Sequence, residues 1–422
     1  MTASTSETAG ITDEGVACLR ARIGVPEPHP QPPHYLRPNE DAFRHVAIAY
    51  GDDNPLWCDP DYARGSRWEG SFAPPPLVGG DTLIGEDEVT ELAPEHRDLM
   101  KGDPLRGVHA YYASSVREWW APLRPGHRVR RRNALVGVLD KESDFAARAV
   151  YEWTASVFQS DNGAMLAGQY RNMVRTEREK ARERKRDATV EVAQWTEEEI
   201  AELDEQYRAE AALRRGAEPR YWEDVDEGDE FGPLVKGPLT VTDIICWHVG
   251  MGMGLYGVRP LRLAWQRRQQ IPRFYHRDPQ GIPDVMQRVH WDPEYARKAG
   301  NLTTYDYGRM RETWLIHLCT DWMGDDGWLW RLDCEFRKFN YVGDVQWMRG
   351  RVTRKYLAEG GRPAVDVDVW GESQRGEITA PGHATVLLPS REHGAVRLPD
   401  PPGNATNLEG ALAAIAERFE ER

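Results

Sequence analysis

The feature that most constrains the fold of this chain is an internal repeat. The sequence DPDYAR at residues 59–64 returns as DPEYAR at 292–297, and PLRPGHRV at 122–129 is echoed by FNYVGDV at 339–345. The two pairs occur in the same order, at offsets of 233 and 217 residues. Matches at a nearly constant offset indicate a duplicated structural unit. The chain is therefore expected to fold as two related halves.

The predicted elements follow the same order in both halves. A helical segment (41–50 and 242–249) precedes the repeated turn, and a second helix and a run of strands follow it. The helix predicted at 308–323 has apolar residues at three- and four-residue spacing, which is typical of a buried helix face. The strict alternation of VDVDVW at 365–370 predicts a strand with one buried face. Together these features predict an α+β fold in which a sheet wraps a helix.

Composition shifts along the chain suggest its organisation. Residues 176–215 lack glycine and proline and are dense in both acidic and basic residues, which favours a helical connector over a nucleic-acid-binding arm. The predicted segments are an N-terminal lead (1–37), a first repeat (38–175), a charged helical linker (176–217), a second repeat (218–390) and a tail with a short helix (391–422).

Overall composition narrows the class of protein. The formal charge of −14 disfavours general binding to nucleic acid or to anionic membranes, because both require clustered Lys and Arg. No run of 18 apolar residues and no secretory signal are present in the sequence. The five cysteines are scattered, which argues against a disulfide framework and favours a reducing compartment. We therefore expect a cytoplasmic protein with no nucleic-acid or membrane partner.

Common catalytic and cofactor motifs are missing from the sequence. It contains no G-x-S-x-G, P-loop or H-E-x-x-H motif. A formal G-x-G-x-x-G at 252–257 follows a segment that resembles a helix more than a strand, so we interpret it as a glycine-rich bend. No metal site or cofactor is predicted.

Two segments carry a resemblance to a known family. GDDNPLWCDPDYAR (51–64) and IPDVMQRVHWDPEYAR (282–297) resemble the hydration motif of MaoC-like acyl dehydratases and R-specific enoyl-CoA hydratases. The first half, with AYGDDNPLW and SFAPPPL, is also similar to the N-terminal variant of FAS-type dehydratases. The resemblance implies a double hot-dog fold, in which each of two fused repeats wraps a long helix in an antiparallel sheet.

In the first repeat the resemblance is incomplete. Asp52 and Asn54 match the aspartate and asparagine of the motif, but Trp57 occupies the position of the catalytic histidine. Pro75, which has no N–H, lies where the family places a glycine that donates to the thioester oxygen. The resemblance therefore implies a non-catalytic first repeat, with Asp52, Asn54 and Trp57 helping to shape the substrate pocket.

In the second repeat the resemblance implies an active site. His290 matches the histidine, and Gly308 follows it at the family spacing. The family places an aspartate five residues before the histidine. Here Val285 occupies that position, and Asp284 lies six residues before His290. We assign Asp284, His290 and Gly308 as catalytic, which requires a one-residue bulge at Asp284.

Each of these residues also has a structural interpretation. His290 could be a core histidine, Asp284 a helix N-cap and Gly308 a close-packing glycine. Asp59 and Asp292 are expected to cap the helices that follow them.

Substrate binding is assigned to residues near the predicted helix start. Tyr305, Asp306 and Tyr307 are expected at the mouth of the site. The phosphates of coenzyme A require local positive charge, for which either 128–132 or the pair Arg267 and Arg268 is a candidate, unless these are solvated surface residues.

The resemblance implies a hydro-lyase that interconverts 2-enoyl-CoA and 3-hydroxyacyl-CoA. The carboxylate and imidazole would transfer protons, and the backbone N–H would hold the thioester oxygen. Two alternatives remain open at this point, a hot-dog acyl-CoA thioesterase and a non-catalytic acyl-CoA-binding or partner subunit. The chain is expected to be a monomer or a homodimer.

Overall fold

The fold is taken from a computed structural model of the full chain. The structure describes residues 10–28, 32–79, 83–143, 147–176, 191–252 and 258–420. Of the glycine-rich segment 252–257, only Gly252 lies within the described residues. No helix in these ranges is both long and apolar enough to cross a lipid bilayer.

The helices of the described residues are mostly short. They are α1 (Asp13–Ala21), α2 (Glu40–Ala49), α3 (Pro55–Cys58), α4 (Pro60–Gly65), α5 (Pro94–Arg97), α6 (Glu197–Glu210), α7 (Val241–Gly250), α8 (Leu261–Gln270), α9 (Pro293–Lys298), α10 (Gly308–Met323) and α11 (Leu408–Glu420). As predicted, Asp59 and Asp292 cap α4 and α9, since their carboxylates accept hydrogen bonds from backbone N–H groups of the first turn.

The strands form one large sheet and one small hairpin. They are β1 (Glu86–Asp87), β2 (His109–Trp119), β3 (Val129–Ser143), β4 (Ala147–Ser160), β5 (Met165–Thr176), β6 (Glu230–Lys236), β7 (Tyr275–Arg277), β8 (Pro283–Val285), β9 (Trp328–Glu335), β10 (Gln346–Ala358), β11 (Arg362–Ser373) and β12 (Ile378–Leu387). The large sheet has the order β1-β3-β4-β5-β2-β9-β12-β11-β10-β6, and β7 pairs with β8.

The two repeats join at one strand pair. Strand β2 of the first repeat runs antiparallel to β9 of the second, with Ser114 opposite Glu335 and Glu118 opposite Arg331. This pairing makes the sheet continuous across both repeats. The internal duplication thus supplies an edge-to-edge contact between the repeats. Without this contact, β2 and β9 would each have one unpaired edge.

Helix α10 is the centre of the fold. Every residue from its second position onward is buried, although many of them are polar or charged. Such a helix must be enclosed on every side, and here strands β6 and β9–β12 pack against it. It ends at Gly324, whose φ of 73° is readily adopted by glycine.

The double hot-dog class predicted from the sequence is confirmed, with one difference in detail. The first repeat has no counterpart of α10 among its described residues, because the segment from Phe72 to Gly79 consists of coil and turns. Pro74, Pro75 and Pro76 explain this, since a residue that precedes a proline is disfavoured in the helical conformation. Helix α10 therefore packs against apolar side chains of both repeats in one common core.

The predicted linker and tail segments each contain a helix. Helix α6 begins with a capping box formed by Thr196 and Glu199. Residues 177–190 of the predicted linker lie outside the described residues. Helix α11 of the tail packs on β3 and β4 through Leu408, Ala411 and Ile415.

A buried ion pair ties the first repeat to the central helix. Arg117 on β2 and Glu312 on α10 are both almost fully buried, and Arg117 Nη2 lies 2.8 Å from Glu312 Oε2. Replacing Arg117 with alanine is expected to lower the free energy of unfolding by about 3–5 kcal/mol, because the glutamate is left buried without its ion-pair partner. Urea unfolding followed by circular dichroism measures this loss. The double variant Arg117→Met/Glu312→Leu should recover most of it, and an equal loss in both variants would contradict the electrostatic explanation.

Candidate active site

A cavity of about 510 Å³ lies between the two repeats. The first repeat forms a largely apolar and aromatic wall with residues of β2, β4 and β5, among them Tyr111, Tyr112, Ala149, Tyr151 and Val174. The second repeat contributes the polar groups and further aromatic rings, among them His290, Tyr305, Asp306, Tyr307, Gly308 and Phe336. An apolar cavity with a few converging polar groups is the usual form of a small-molecule site.

His290 ends the 3-10 turn Met286–His290, and its ring lines the cavity. Its Nδ1 lies 2.8 Å from the carbonyl oxygen of Tyr305, and the ring stacks on Tyr307 with a centroid distance of 3.9 Å. Because a carbonyl can only accept, Nδ1 carries the proton and donates it, which leaves the lone pair on Nε2. Burial lowers the pKa of His290 to about 4, although the hydrogen bond to Tyr305 opposes the shift. The ring is thus neutral at pH 7 and can accept a proton.

Gly308 begins α10 and also lines the cavity. No side chain caps this helix start, and among the described residues nothing accepts a hydrogen bond from the Gly308 N–H. A Cβ atom at this position would lie 3.1 Å from the Phe336 ring, so the glycine also permits close packing. A helix N-terminus with an open N–H is a favourable position for a developing negative charge.

Asp306 is one of the residues that line the cavity, and its carboxyl group is fully buried within the protein. Its Oδ2 lies 3.0 Å from Arg311 Nε and accepts a 3.1 Å hydrogen bond from Asn340 Nδ2. Its Oδ1 is buried and has no hydrogen-bond partner in the described part of the chain. Burial raises the pKa of Asp306 to about 6, and Arg311 and Asn340 limit the rise. Near neutral pH this group can therefore exist as an acid or as a base.

A buried polar network holds Asp306 in place. Asn340 Oδ1 accepts a 3.0 Å hydrogen bond from Gln346 Nε2, and Thr379 donates from Oγ1 to Gln346 Oε1 at 2.5 Å. Arg311 in turn donates from Nη1 to the carbonyl oxygens of Lys338 and Thr379, at 2.7 and 3.1 Å. Because every member is hydrogen-bonded and buried, the carboxyl group is fixed in orientation.

The structure does not bring Asp284 to the cavity. Asp284 lies on β8, its side chain is 47% exposed, and its Oδ2 is 3.8 Å from Arg288 Nη1. Neighbouring residues of a strand point to opposite faces, and here Val285 is the buried one. Asp284 is not a helix N-cap either, because Val285 precedes the 3-10 turn.

The three pocket residues predicted in the first repeat lie in the core, away from the cavity. Asn54 caps α3 by accepting from the Leu56 N–H, and Asp52 accepts from Tyr50 Oη and from the Asn54 N–H. The ring of Trp57 packs edge-on against Phe72, with centroids 4.9 Å apart. None of the three lines the cavity between the repeats. The motif residues of this repeat thus serve packing and capping.

A second cluster of titratable groups surrounds Asp52. Ligand atoms of Asp52, His317 and Asp321 lie within 4.8 Å of one another, a spacing that could suit a metal ion. However, Lys236 Nζ lies 3.0 Å from His317 Nδ1, and an ammonium group can only donate. His317 Nε2 must then carry the ring proton, which faces Asp321 Oδ2 at 3.2 Å. We interpret the cluster as a buried ion network that joins the repeats.

The basic residues proposed for coenzyme A differ in their surroundings. Arg128, Arg131 and Arg132 form ion pairs with Glu86, Asp87 and Glu88. These pairs neutralise three of the four arginines at 128–132, because β1 lies directly beside β3, and Arg130 donates to the neutral Gln159 instead. Arg267 and Arg268 lie on α8, and no described carboxylate is within ion-pair distance of either.

Comparison with solved structures agrees with this architecture. A MaoC-like dehydratase superposes with a TM-score of 0.58 at 17% identity, over 88% of this chain and 99% of the other. A MaoC domain protein dehydratase from Chloroflexus aurantiacus J-10-fl gives 0.51 at 13% identity, over 88% and 96%. The chain has the MaoC-like dehydratase fold. No family model matches the sequence, and no curated protein matches it either. At these identities the MaoC-like likeness establishes the fold and leaves the chemistry to the site itself.

Sequence reasoning found part of this site. It selected His290, Gly308 and the 305–307 segment, which all line the cavity between the repeats. It did not foresee the wall supplied by β2 of the first repeat, nor the support of Asp306 by Arg311 and Asn340. The only local signal for that support was the (i, i+5) spacing of Asp306 and Arg311 across the predicted helix start.

Proposed function

We propose that this protein is a hydro-lyase that adds water to, or removes it from, the double bond of a 2-enoyl thioester. The observation that carries the proposal is that His290, Asp306 and Gly308 line one cavity. An imidazole with a free lone pair, a carboxyl group with a pKa near neutrality and an open backbone N–H are the groups that this reaction requires.

In the hydration direction, His290 Nε2 removes a proton from a water molecule as the water oxygen bonds to Cβ of the enoyl group. The electrons of the double bond move toward the thioester carbonyl, and the Gly308 N–H stabilises the resulting enolate oxygen. Protonated Asp306 then donates its proton to Cα. The proton on His290 returns through solvent to Asp306, so that water has been added across the double bond. Dehydration is the reverse.

The cavity wall supplied by the first repeat suits the acyl chain. Tyr111, Tyr112, Tyr151 and Val174 present rings and aliphatic surface opposite the polar groups. An acyl group placed against this wall would leave water. Tyr305 and Tyr307 would hold the thioester end, because both flank His290.

Hydration of crotonyl-CoA and of a longer 2-enoyl-CoA, followed as loss of enoyl absorbance, tests the proposal. A parallel assay for free thiol detects the alternative thioesterase, which would release coenzyme A without a 3-hydroxyacyl product. Binding of the thioester without turnover in either assay would favour the alternative of a non-catalytic acyl-CoA-binding subunit.

The two pKa values predict the pH dependence of hydration. His290 acts as a base only when neutral, so kcat/KM should rise as the pH increases through about 4. Asp306 acts as an acid only when protonated, so kcat/KM should fall by about tenfold per pH unit well above pH 6. Initial rates between about pH 3 and pH 9 at low substrate concentration measure both limbs. A rate that keeps rising to pH 9 would contradict the role of Asp306.

A further inference from the structure

The second repeat carries an insertion that the first repeat lacks. In the first repeat, the motif at Asp52 follows α2 almost directly, whereas the turn with His290 begins 36 residues after the end of α7. The described part of the insertion contains α8, in which no residue is buried. A helix that buries nothing contributes little to the stability of its own fold.

The insertion is strongly basic within an acidic protein. No aspartate or glutamate occurs at residues 244–277, although the chain as a whole has a net charge of −14. The same segment contains six arginines, namely Arg259, Arg262, Arg267, Arg268, Arg273 and Arg277. Within the described ranges, no carboxylate lies within ion-pair distance of the last five. The positive charge is therefore available to a ligand.

Large apolar side chains lie exposed among these arginines. Leu261 is 88% exposed, Trp265 is 51% exposed and Leu263 is 47% exposed. Leu261 also has a φ of 53°, an unfavourable region for a residue with a Cβ atom. The fold of the single chain does not explain this backbone conformation, because the Leu261 side chain gains no burial from it. An exposed apolar cluster beside positive charge is typical of a surface that binds another molecule.

The position of this surface relates it to the cavity. Helix α8 runs through Ile271 into the 3-10 turn Pro272–Phe274, and Phe274 lines the cavity. The following strand β7 pairs with β8, which leads directly into the turn that carries His290. A molecule bound on α8 would thus lie close to the segments that supply Phe274 and His290 to the cavity.

We propose that the α8 surface, formed by Leu261, Arg262, Leu263, Trp265 and Arg268, docks an acidic carrier protein that delivers the enoyl group as a thioester. This inference rests on the proposed hydro-lyase function and names the partner of the same site. The arginines match acidic side chains of the carrier, and the leucines and tryptophan match apolar positions between them.

A membrane surface is the less favoured occupant. A helix that lies in a bilayer interface separates an apolar face from a basic face. Leu263 and Trp265 are both exposed although they are two residues apart and point about 200° apart around the helix. Apolar and basic positions thus alternate around α8, which suits contact with the side chains of a folded protein.

The test compares two substrates for the full-length protein. One is an acidic acyl carrier protein charged with a crotonyl group, and the other is crotonyl-N-acetylcysteamine, which has neither protein nor phosphate. The variants are Arg262→Glu and Leu261→Gln, with Arg351→Glu as a matched control on the exposed face of β10. Direct binding of the charged carrier protein is measured by surface plasmon resonance at low and high salt.

We expect Arg262→Glu and Leu261→Gln to lower kcat/KM for the carrier-bound substrate by about tenfold or more, with the small thioester within about twofold of wild type. Carrier binding should weaken at high salt, and Arg351→Glu should behave as wild type. Equal carrier-bound rates in all variants, or a wild type that hydrates only the small thioester, would overturn the inference.

If no thioester is hydrated, the proposed function fails and the docking surface is judged on carrier binding alone. Loss of carrier binding in Arg262→Glu would support the α8 surface as the docking site. Absence of carrier binding by the wild type would overturn the inference. Vesicles of anionic phospholipid form a separate arm, in which binding that depends on Arg262, without carrier binding, would assign the surface to a membrane instead.

Discussion

Replacing His290 with alanine lowers kcat for enoyl thioester hydration by a factor of about 10² to 10⁴, which is the expected contribution of a positioned general base. The imidazole is the cavity group whose lone pair is free while its other nitrogen donates to the Tyr305 carbonyl. The substrate KM should change little, because the ring contributes mainly to the transition state. Steady-state kinetics with crotonyl-CoA provide both constants.

Two further variants separate catalysis from packing at this position. His290→Gln retains an amide that can donate to Tyr305 but has no basic nitrogen, so it should lose as much activity as His290→Ala. His383→Ala serves as the control, because His383 lies on β12 beside Asp368 and is half exposed. Unchanged hydration by His290→Gln, with an unchanged melting temperature, would rule out His290 as the base.

Replacing Asp306 with asparagine is expected to lower kcat by about 10² to 10³ and to abolish the fall in activity above pH 6. The amide preserves the size of the side chain and its contact with Asn340, but it cannot donate a proton to Cα. The remaining rate should depend on pH only through His290. The measurement is the full pH profile of kcat/KM for the variant and the wild type.

Asp284→Asn is the matched comparison for Asp306→Asn. Asp284 is half exposed and paired with Arg288, so its replacement should leave the rate within about threefold of wild type. The motif offers Asp284 as its nearest carboxylate, one position away from the family spacing, whereas the cavity favours Asp306. A large loss of hydration rate in Asp284→Asn, with no loss in Asp306→Asn, would identify Asp284 as the catalytic carboxylate.

Much of the fold follows from local pattern. The predicted helix at 308–323 coincides with α10, and the alternating segment at 365–370 lies within β11. The caps at Asp59 and Asp292 were predictable because capping depends on a few neighbouring residues. The three successive prolines also carried a local signal that the first repeat would lack a long helix.

The site was less predictable because its parts come from distant segments. Asp306 faces Asn340 across 34 residues, and the cavity wall comes from strands more than 100 residues away. The orientation of Asp284 depended on Val285 being the buried partner in a short hairpin. The neutralisation of Arg131 depended on β1 lying beside β3. None of these contacts leaves a periodic trace in the sequence.

The sequence by itself determined that the chain contains an internal repeat, that its long buried helix lies in the second half, and that His290 and Gly308 stand 18 residues apart. These properties depend on residues close in the chain or on direct repetition. Only the tertiary structure decided which carboxyl group meets the cavity and that the first repeat provides its wall. The physical reason is that burial and charge at the site are set by the pairing of β2 with β9 and by the enclosure of α10, which bring together side chains that the sequence keeps far apart.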